Sequence, residues 1–206
     1  MGCAEKRSVT LLRHGLRPRN PRPTRRGFTL IELLITVAMV GVLAALGLVG
    51  YRRYVHTAQS SEAKAVIQGI RGGQEGYKAE FLQYVDVSQQ DFTDHYPNKT
   101  PNDSRMNWVQ PADTRYTDAG HGWALLNVST DGPVRFGYTT VAGVGGTLKQ
   151  PTMMQSKPAM PTVAAGVPWY VIQAVNKHNP TIAAGAYAVF ASASTSGEIL
   201  SENEQE

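Results

Sequence analysis

One carboxylate stands where a carboxylate is least expected. Glu32 is the only charged side chain among the 24 residues from Phe28 to Tyr51, and Arg25, Arg26 and Gly27 stand directly before that run. In a membrane helix an ionised Glu is unfavourable by about 2.5–3.5 kcal/mol at the centre, and by less toward an end. Two chemistries relieve this. The side chain can snorkel into headgroups, or it can pair with a cation. Opposite charges a few ångströms apart in low dielectric attract strongly, and either alone is penalised. Glu32 and the residues just before it are therefore the first candidates for function.

The other reactive residue types do not assemble into a site along the chain. No Gly-x-Ser-x-Gly elbow is present, and the single cysteine, Cys3, lies upstream of Gly27. His56, His95, His121 and His178 are scattered without ligand spacing, so no metal is assigned. The stretch Gly143-Val144-Gly145-Gly146-Thr147-Leu148-Lys149 lacks the gap and the Gly-Lys-Ser/Thr ending of a phosphate loop. Asp113, Asp118 and Asp131 lack the alternating acidic spacing of a calcium loop. Neither an enzyme nor a cofactor is expected. The formal charge of +4 invites a nucleic-acid reading, but residues 1–27 hold eight of the 20 Lys and Arg and only one of the 16 acids. Without them the net is −3, which removes the basic footprint and leaves nucleic acid open only through a local patch.

The junction Gly27-Phe28-Thr29-Leu30-Ile31-Glu32 resembles the processing site of type IV prepilins and their pseudopilin relatives. The resemblance implies cleavage between Gly27 and Phe28 by a prepilin peptidase, N-methylation of Phe28, and filament assembly through Glu32. The new Phe28 ammonium, still charged when methylated, would be neutralised by a neighbouring subunit's Glu32. It also implies partners: other copies in a helical filament, other pilins, the peptidase and methyltransferase, and inner-membrane assembly machinery. The expected function is a structural subunit of a type IV pilus-like filament, serving adhesion, motility or DNA uptake. A type II secretion pseudopilin and a membrane-tethered module that never polymerises are the alternatives. Three features depart from the family's pattern. The leader is long, the second half of the apolar segment has no proline, and with no cysteine beyond Cys3 there is no C-terminal disulfide. The C-terminal region must then be held by sheet pairing and packing, or by an ion.

The elements that position this junction are a leader, a span and a domain. Residues 1–27 are basic and Pro-rich and read as a cytoplasmic leader that is removed. A secretory signal ending near Ala45-Leu46-Gly47 is the rival, but the apolar run is too long and contains Glu32. As a helix, residues 28–51 reach about 36 Å, enough to cross a bilayer of about 30 Å. The bias of basic residues toward the N-terminal side keeps that end cytoplasmic and sends the rest across, to the periplasm in the family's setting. Gly41, Gly47 and Gly50 are candidates for close helix packing or local loosening. Residues 52–85 continue as an amphipathic helix with Tyr51, Tyr54, Val55, Ala58, Ala65, Val66, Ile70, Tyr77, Phe81 and Tyr84 on its apolar stripe. Ser60, Arg71, Gln74 and Lys78 fall outside the stripe. Gly69, Gly72, Gly73 and Gly76 form a row that is either a smooth strip for close approach or a kink.

Residues 86–206 form a β-rich domain with long loops, which makes the fold α+β: a long N-terminal helix on a small antiparallel sheet. A Pro- and Asn-rich connection runs from Asp86 to Gly122, carrying Asn98 in one of several glycosylation-type triplets. Strands are expected at 134–142, 169–175, 186–193 and 198–201, with 143–168 an exposed insertion. Residues 123–128 form a short helix or a strand. Phe136, Tyr138, Trp169, Tyr170 and Phe190 are expected to bury against the helix.

Overall fold

The computed structural model describes residues 27–102, 104–108, 122–177 and 187–204. The expected strand start at residue 186, Asp113, Asp118, His121 and His178 lie outside them. The chain divides into two compact units between Ala45 and Leu46. Helix α1 (Leu30–Phe81) contributes to both and is unbroken. It is followed by α2 (Trp123–Leu126) and by four strands: β1 (Gly137–Thr147), β2 (Thr162–Asn176), β3 (Ala188–Ala193) and β4 (Ile199–Glu202). The sheet is an antiparallel meander in the order β1-β2-β3-β4. The architecture is therefore α+β, with a long N-terminal helix packed on a small antiparallel sheet.

In the first unit every residue from Gly27 to Ala45 is exposed. Leu30 keeps 80% of its surface, Leu33 and Leu34 keep 62% each, and Leu43 keeps 68%. Contiguous apolar surface of this extent marks a segment that lipid or other protein covers. Among the described residues α1 is the one helix long and apolar enough to cross a membrane.

The second unit holds the core. The face of α1 that packs there is Ser60, Ala63, Val66, Ile67, Ile70 and Gln74, repeating at three and four residues. This corrects the expected stripe. Val66 and Ile70 belong to it, whereas Tyr54 and Phe81 are exposed, and the polar Ser60 and Gln74 lie in the buried face. Both are accommodated by hydrogen bonds. Gln74 is fully buried, its Nε2 donating to Val85 O (2.8 Å) and Thr140 Oγ1 (3.2 Å) and its Oε1 accepting from Val85 N (3.0 Å). The helix stops at Phe81, short of Tyr84, because Leu82 turns left-handed (φ 60°). Tyr84 then folds back edge-on to Tyr170 at 4.7 Å.

Strand alternation sorts the aromatic residues. Tyr138, Tyr170 and Phe190, with Phe136 just before β1, join Val66, Ile67 and Ile70 in the core under the helix. Trp169 does not, because its neighbour Tyr170 already points that way and successive side chains alternate. It lies in a second cluster on the other face with Phe92, Val141, Leu148 and Val171. The indole rests on the backbone of β1: a Cβ on Gly143 would stand 2.5 Å from the ring, and Trp169 Nε1 donates to Gly145 O at 3.0 Å.

The region expected to be an exposed insertion is different in character. β1 runs on to Thr147 and β2 begins at Thr162, with a register irregularity between Val144 and Gly146, so only residues 148–161 connect them. That connection covers the face of the sheet opposite the helix, burying Leu148 and Met154. β1 also starts at Gly137 rather than at Val134, which forms an isolated bridge with Met106. The connection after α1 blunts the outer edge of β1: Ser88 N donates to Thr140 O (3.0 Å), and Tyr96 and Tyr138 exchange two backbone bonds (2.9 and 2.7 Å).

The glycine row is a strip at one point and open at others. A Cβ on Gly73 would lie 2.4 Å from Leu126 O, so α2 sits on that glycine, and Gly69 meets Val128 at 3.7 Å. Gly72 and Gly76 face open space, and α1 passes through all four without a break. Residues 123–126 are helical, which decides between helix and strand there.

Candidate processing and assembly site

Gly27, Phe28 and Thr29 precede α1 and are not helical, and Phe28 retains 85% of its surface. Around Gly27 there is open space, with nothing within 4 Å of where a Cβ would stand. The Gly27–Phe28 peptide is thus accessible and outside any helical hydrogen-bond ladder.

Thr29 and Glu32 close on each other. Thr29 N and Thr29 Oγ1 both donate to Glu32 Oε2, at 2.9 Å each, and Glu32 N donates back to Thr29 Oγ1 at 3.3 Å. Thr29-x-x-Glu32 is a capping box, in which side chains satisfy amides that the helix start leaves without intrahelical partners. The first helical bond, Leu33 N to Thr29 O at 3.2 Å, closes behind it. A carboxylate in the first turn also meets the positive end of the helix dipole. The in-chain partner of Glu32 is therefore Thr29, a residue that reading the sequence for opposite charges missed. The spacing of Thr three residues before Glu, ahead of an apolar run, was the signal for it.

The structure brings Gly27, Phe28, Thr29 and Glu32 into one short segment. Gly41, Gly47 and Gly50 lie further along α1, each facing open space, and the helix is regular through them. On the domain, among the described residues, no three His, Cys, Asp or Glu side chains converge as metal ligands would. His95 is buried, and desolvation lowers its pKa, an effect that the Thr93 backbone and the neighbouring Asp94 and Asp91 oppose. Asn98 is also buried, its Nδ2 donating to Asn102 Oδ1 at 3.1 Å, so its side-chain amide is engaged within the fold.

Residues 22–48 match the family model described as the prokaryotic N-terminal methylation motif. The N-terminal segment carries this motif, and the relatives that resemble it are fimbrial proteins and type IV major pilins. The chain is 43% identical over 60 residues to the fimbrial protein EcpC of Eikenella corrodens, covering 29% of this chain and 37% of that one. It is 35% identical over 68 residues to the type IV major pilin protein PilA of Myxococcus xanthus, covering 33% and 31%. With the type IV major pilin protein PilE1 of Neisseria gonorrhoeae it shares 51% identity over 45 residues, covering 22% and 27%. The chain thus spans only about a third of the length of these pilin relatives. No solved structure matches it.

Proposed function

We propose that the chain is a non-catalytic structural subunit of a type IV pilus-like filament. Residues 1–27 act as a cytoplasmic leader that prepilin peptidase removes between Gly27 and Phe28, and Phe28 is then N-methylated. Residues 28–51 hold the subunit in the inner membrane, residues 52–81 continue the helix, and residues 86–206 form the periplasmic domain until assembly carries it to the cell surface. The observation that carries this reading is the segment itself: an accessible, non-helical Gly27–Phe28 peptide directly before a Thr29–Glu32 box and an apolar helical stretch exposed from Leu30 to Gly50. Similarity to a fimbrial protein and to major pilins favours a pilus over a secretion pseudopilus.

The chemistry follows from Glu32. In the separate subunit its carboxylate is satisfied by the amide and hydroxyl of Thr29. Cleavage creates an ammonium group on Phe28 of each neighbour, and pairing with it exchanges a neutral donor for a charged one, a stronger hydrogen bond in a dry environment. Apolar helices packed side by side exclude water and lipid from that pair, and Gly41, Gly47 and Gly50 permit close approach. Head-to-tail contacts of this kind do not close and generate a fibre with other copies and other pilins, driven by separate membrane machinery. Glu32→Ala tests the assembly step. The variant is expected to be cleaved normally and to accumulate in the membrane without entering surface filaments. Wild-type filament yield from Glu32→Ala would overturn the assignment. An uncleaved chain whose behaviour is indifferent to deletion of the peptidase would mark a tethered module instead.

A further inference from the structure

The C-terminal segment of this chain has no disulfide to close it, and its last strand, β4, is four residues long. What fastens it to α1 is a cluster of polar groups around Asn176, the last residue of β2. Asn176 is fully buried, and neither its Nδ2 nor its Oδ1 meets a protein hydrogen-bond partner. An amide in that condition is penalised unless something else satisfies it. Its neighbours explain what that is. Asn176 lines a small cavity of about 10 Å³ together with Ser60 of α1, Phe136, Phe190, and Asn203 and Glu204 of the C-terminal segment. That is about the space one water molecule needs.

We infer that the Asn176 cavity is a binding site for a single water molecule that clasps the C-terminal segment onto α1. The donor set selects the ligand. Asn176 presents both a donor and an acceptor, so a bare cation would suit Oδ1 and oppose Nδ2, and an anion would do the reverse. Water both donates and accepts. The Ser60 hydroxyl shares its hydrogen between His56 O (3.1 Å) and Glu204 O (3.5 Å), which leaves its oxygen able to accept. Direct bonds already bring the segment here: Asn203 Nδ2 donates to Tyr187 O at 3.1 Å, and Lys64 pairs with Glu204. The water completes this set by joining the end of β2 to the groups on either side of it. Buried waters of this kind are fixed parts of a fold and are difficult to remove.

The test uses the full chain, isotope-labelled, in detergent micelles. Magnetisation transfer from water to the Asn176 Nδ2 hydrogens is expected, with the sign of a long-lived bound molecule. Resolved Nδ2 signals that receive no such transfer would overturn the site. In Asn176→Leu the transfer partner is gone, and amides of residues 199–203 are expected to exchange roughly tenfold faster, as for one lost net hydrogen bond. Amides of residues 139–142, away from the cavity, should not change. Unchanged exchange at 199–203 in a folded Asn176→Leu protein would refute the clasp. Should that variant not fold, the wild-type transfer experiment decides alone.

Discussion

Gln74 offers the sharpest test of how the domain is fastened to its helix. Its amide ties three parts of the chain together: α1, the backbone at Val85 after the helix, and Thr140 of β1. Gln74→Leu keeps nearly the same volume and removes all three hydrogen bonds. The Val85 N–H and C=O are then left unpaired in a half-buried position, while the Thr140 hydroxyl can rotate toward other acceptors. Two orphaned backbone groups at about 1–2 kcal/mol each give an expected loss of about 2–4 kcal/mol. That is a large fraction of the 5–15 kcal/mol typical of a folded domain. Gln74→Glu adds a pH signature. Its carboxylate would face Val85 O, so burial and repulsion raise its folded-state pKa above the unfolded value of about 4.3. The penalty is then fully present at neutral pH and fades as pH falls toward the unfolded pKa, where a protonated carboxyl can donate again. Denaturant unfolding of the full chain in detergent, followed by the fluorescence of the buried Trp123 and Trp169, reads both effects. A Gln74→Leu protein within about 0.5 kcal/mol of wild type would refute the reasoning, since that is the range of an ordinary surface change. A pH-independent Gln74→Glu would refute it equally.

Adjacent glycines should respond in opposite directions. Gly72 faces open space, so Gly72→Ala is expected to stabilise by up to about 1 kcal/mol. Gly73→Ala places a methyl group 2.4 Å from Leu126 O and is expected to destabilise by about 1–3 kcal/mol through displacement of α2. Stabilisation by both in the same unfolding assay would place α2 elsewhere. At high pH, desolvation raises the pKa of Tyr84, Tyr138 and Tyr170, an effect partly offset at Tyr84 by Lys78 and at Tyr170 by Arg71. The unfolded chain therefore loses protons first, and stability should fall as pH rises past the unfolded tyrosine value of about 10. Tyrosinate absorbance from Tyr138, whose pKa is raised well above the ordinary value, should appear only together with unfolding, and its titration in a folded protein would contradict its burial. At low pH, Glu204 behaves conversely. Burial raises its pKa, but bonds from Lys64, Ser201 and Ser60 outweigh this, and the net shift is downward. Its contribution is present above the ordinary value of 4.5 and lost as pH falls through the lower folded value. Exchange at residues 199–203 should accelerate over that range in wild type and depend less on pH in Lys64→Ala.

The apolar helix, its lone acid and the antiparallel strands were legible because each rests on a local pattern: a long apolar run, a single charge within it, β-branched and aromatic stretches. The packed face of α1 was less so. Apolar periodicity favours Tyr54 and Phe81 and rejects Ser60 and Gln74, yet the two polar residues are buried because distant backbone groups receive their hydrogen bonds. Gln74 meets Val85 and Thr140, 11 and 66 residues on, and Ser60 adds Glu204 O, 144 residues on, to a local bond with His56 O, so apolar periodicity does not show them. Aromatic character alone places Trp169 on the helix side, although alternation with Tyr170 forbids both facing one way. The stretch 143–168 reads as a solvent-exposed insertion from its glycines and prolines, but strands take both ends of it and leave only the connection 148–161. It is held on the sheet by Leu148 and Met154 instead, a tertiary contact that composition does not encode. The junction at Gly27 and Phe28 is visible as a motif, while the Thr29 contacts that satisfy Glu32 follow from a Thr-x-x-Glu spacing that a search for opposite charges passes over.

The central claim is that Phe28 begins the mature subunit and that the subunit lives in a filament. Intact mass and N-terminal peptide analysis of surface filaments sheared from the native cell tests both at once. The account predicts a chain starting at N-methylated Phe28 within the filament fraction. A chain that still carries residues before Phe28, or one confined to the membrane fraction while filaments form without it, would contradict it.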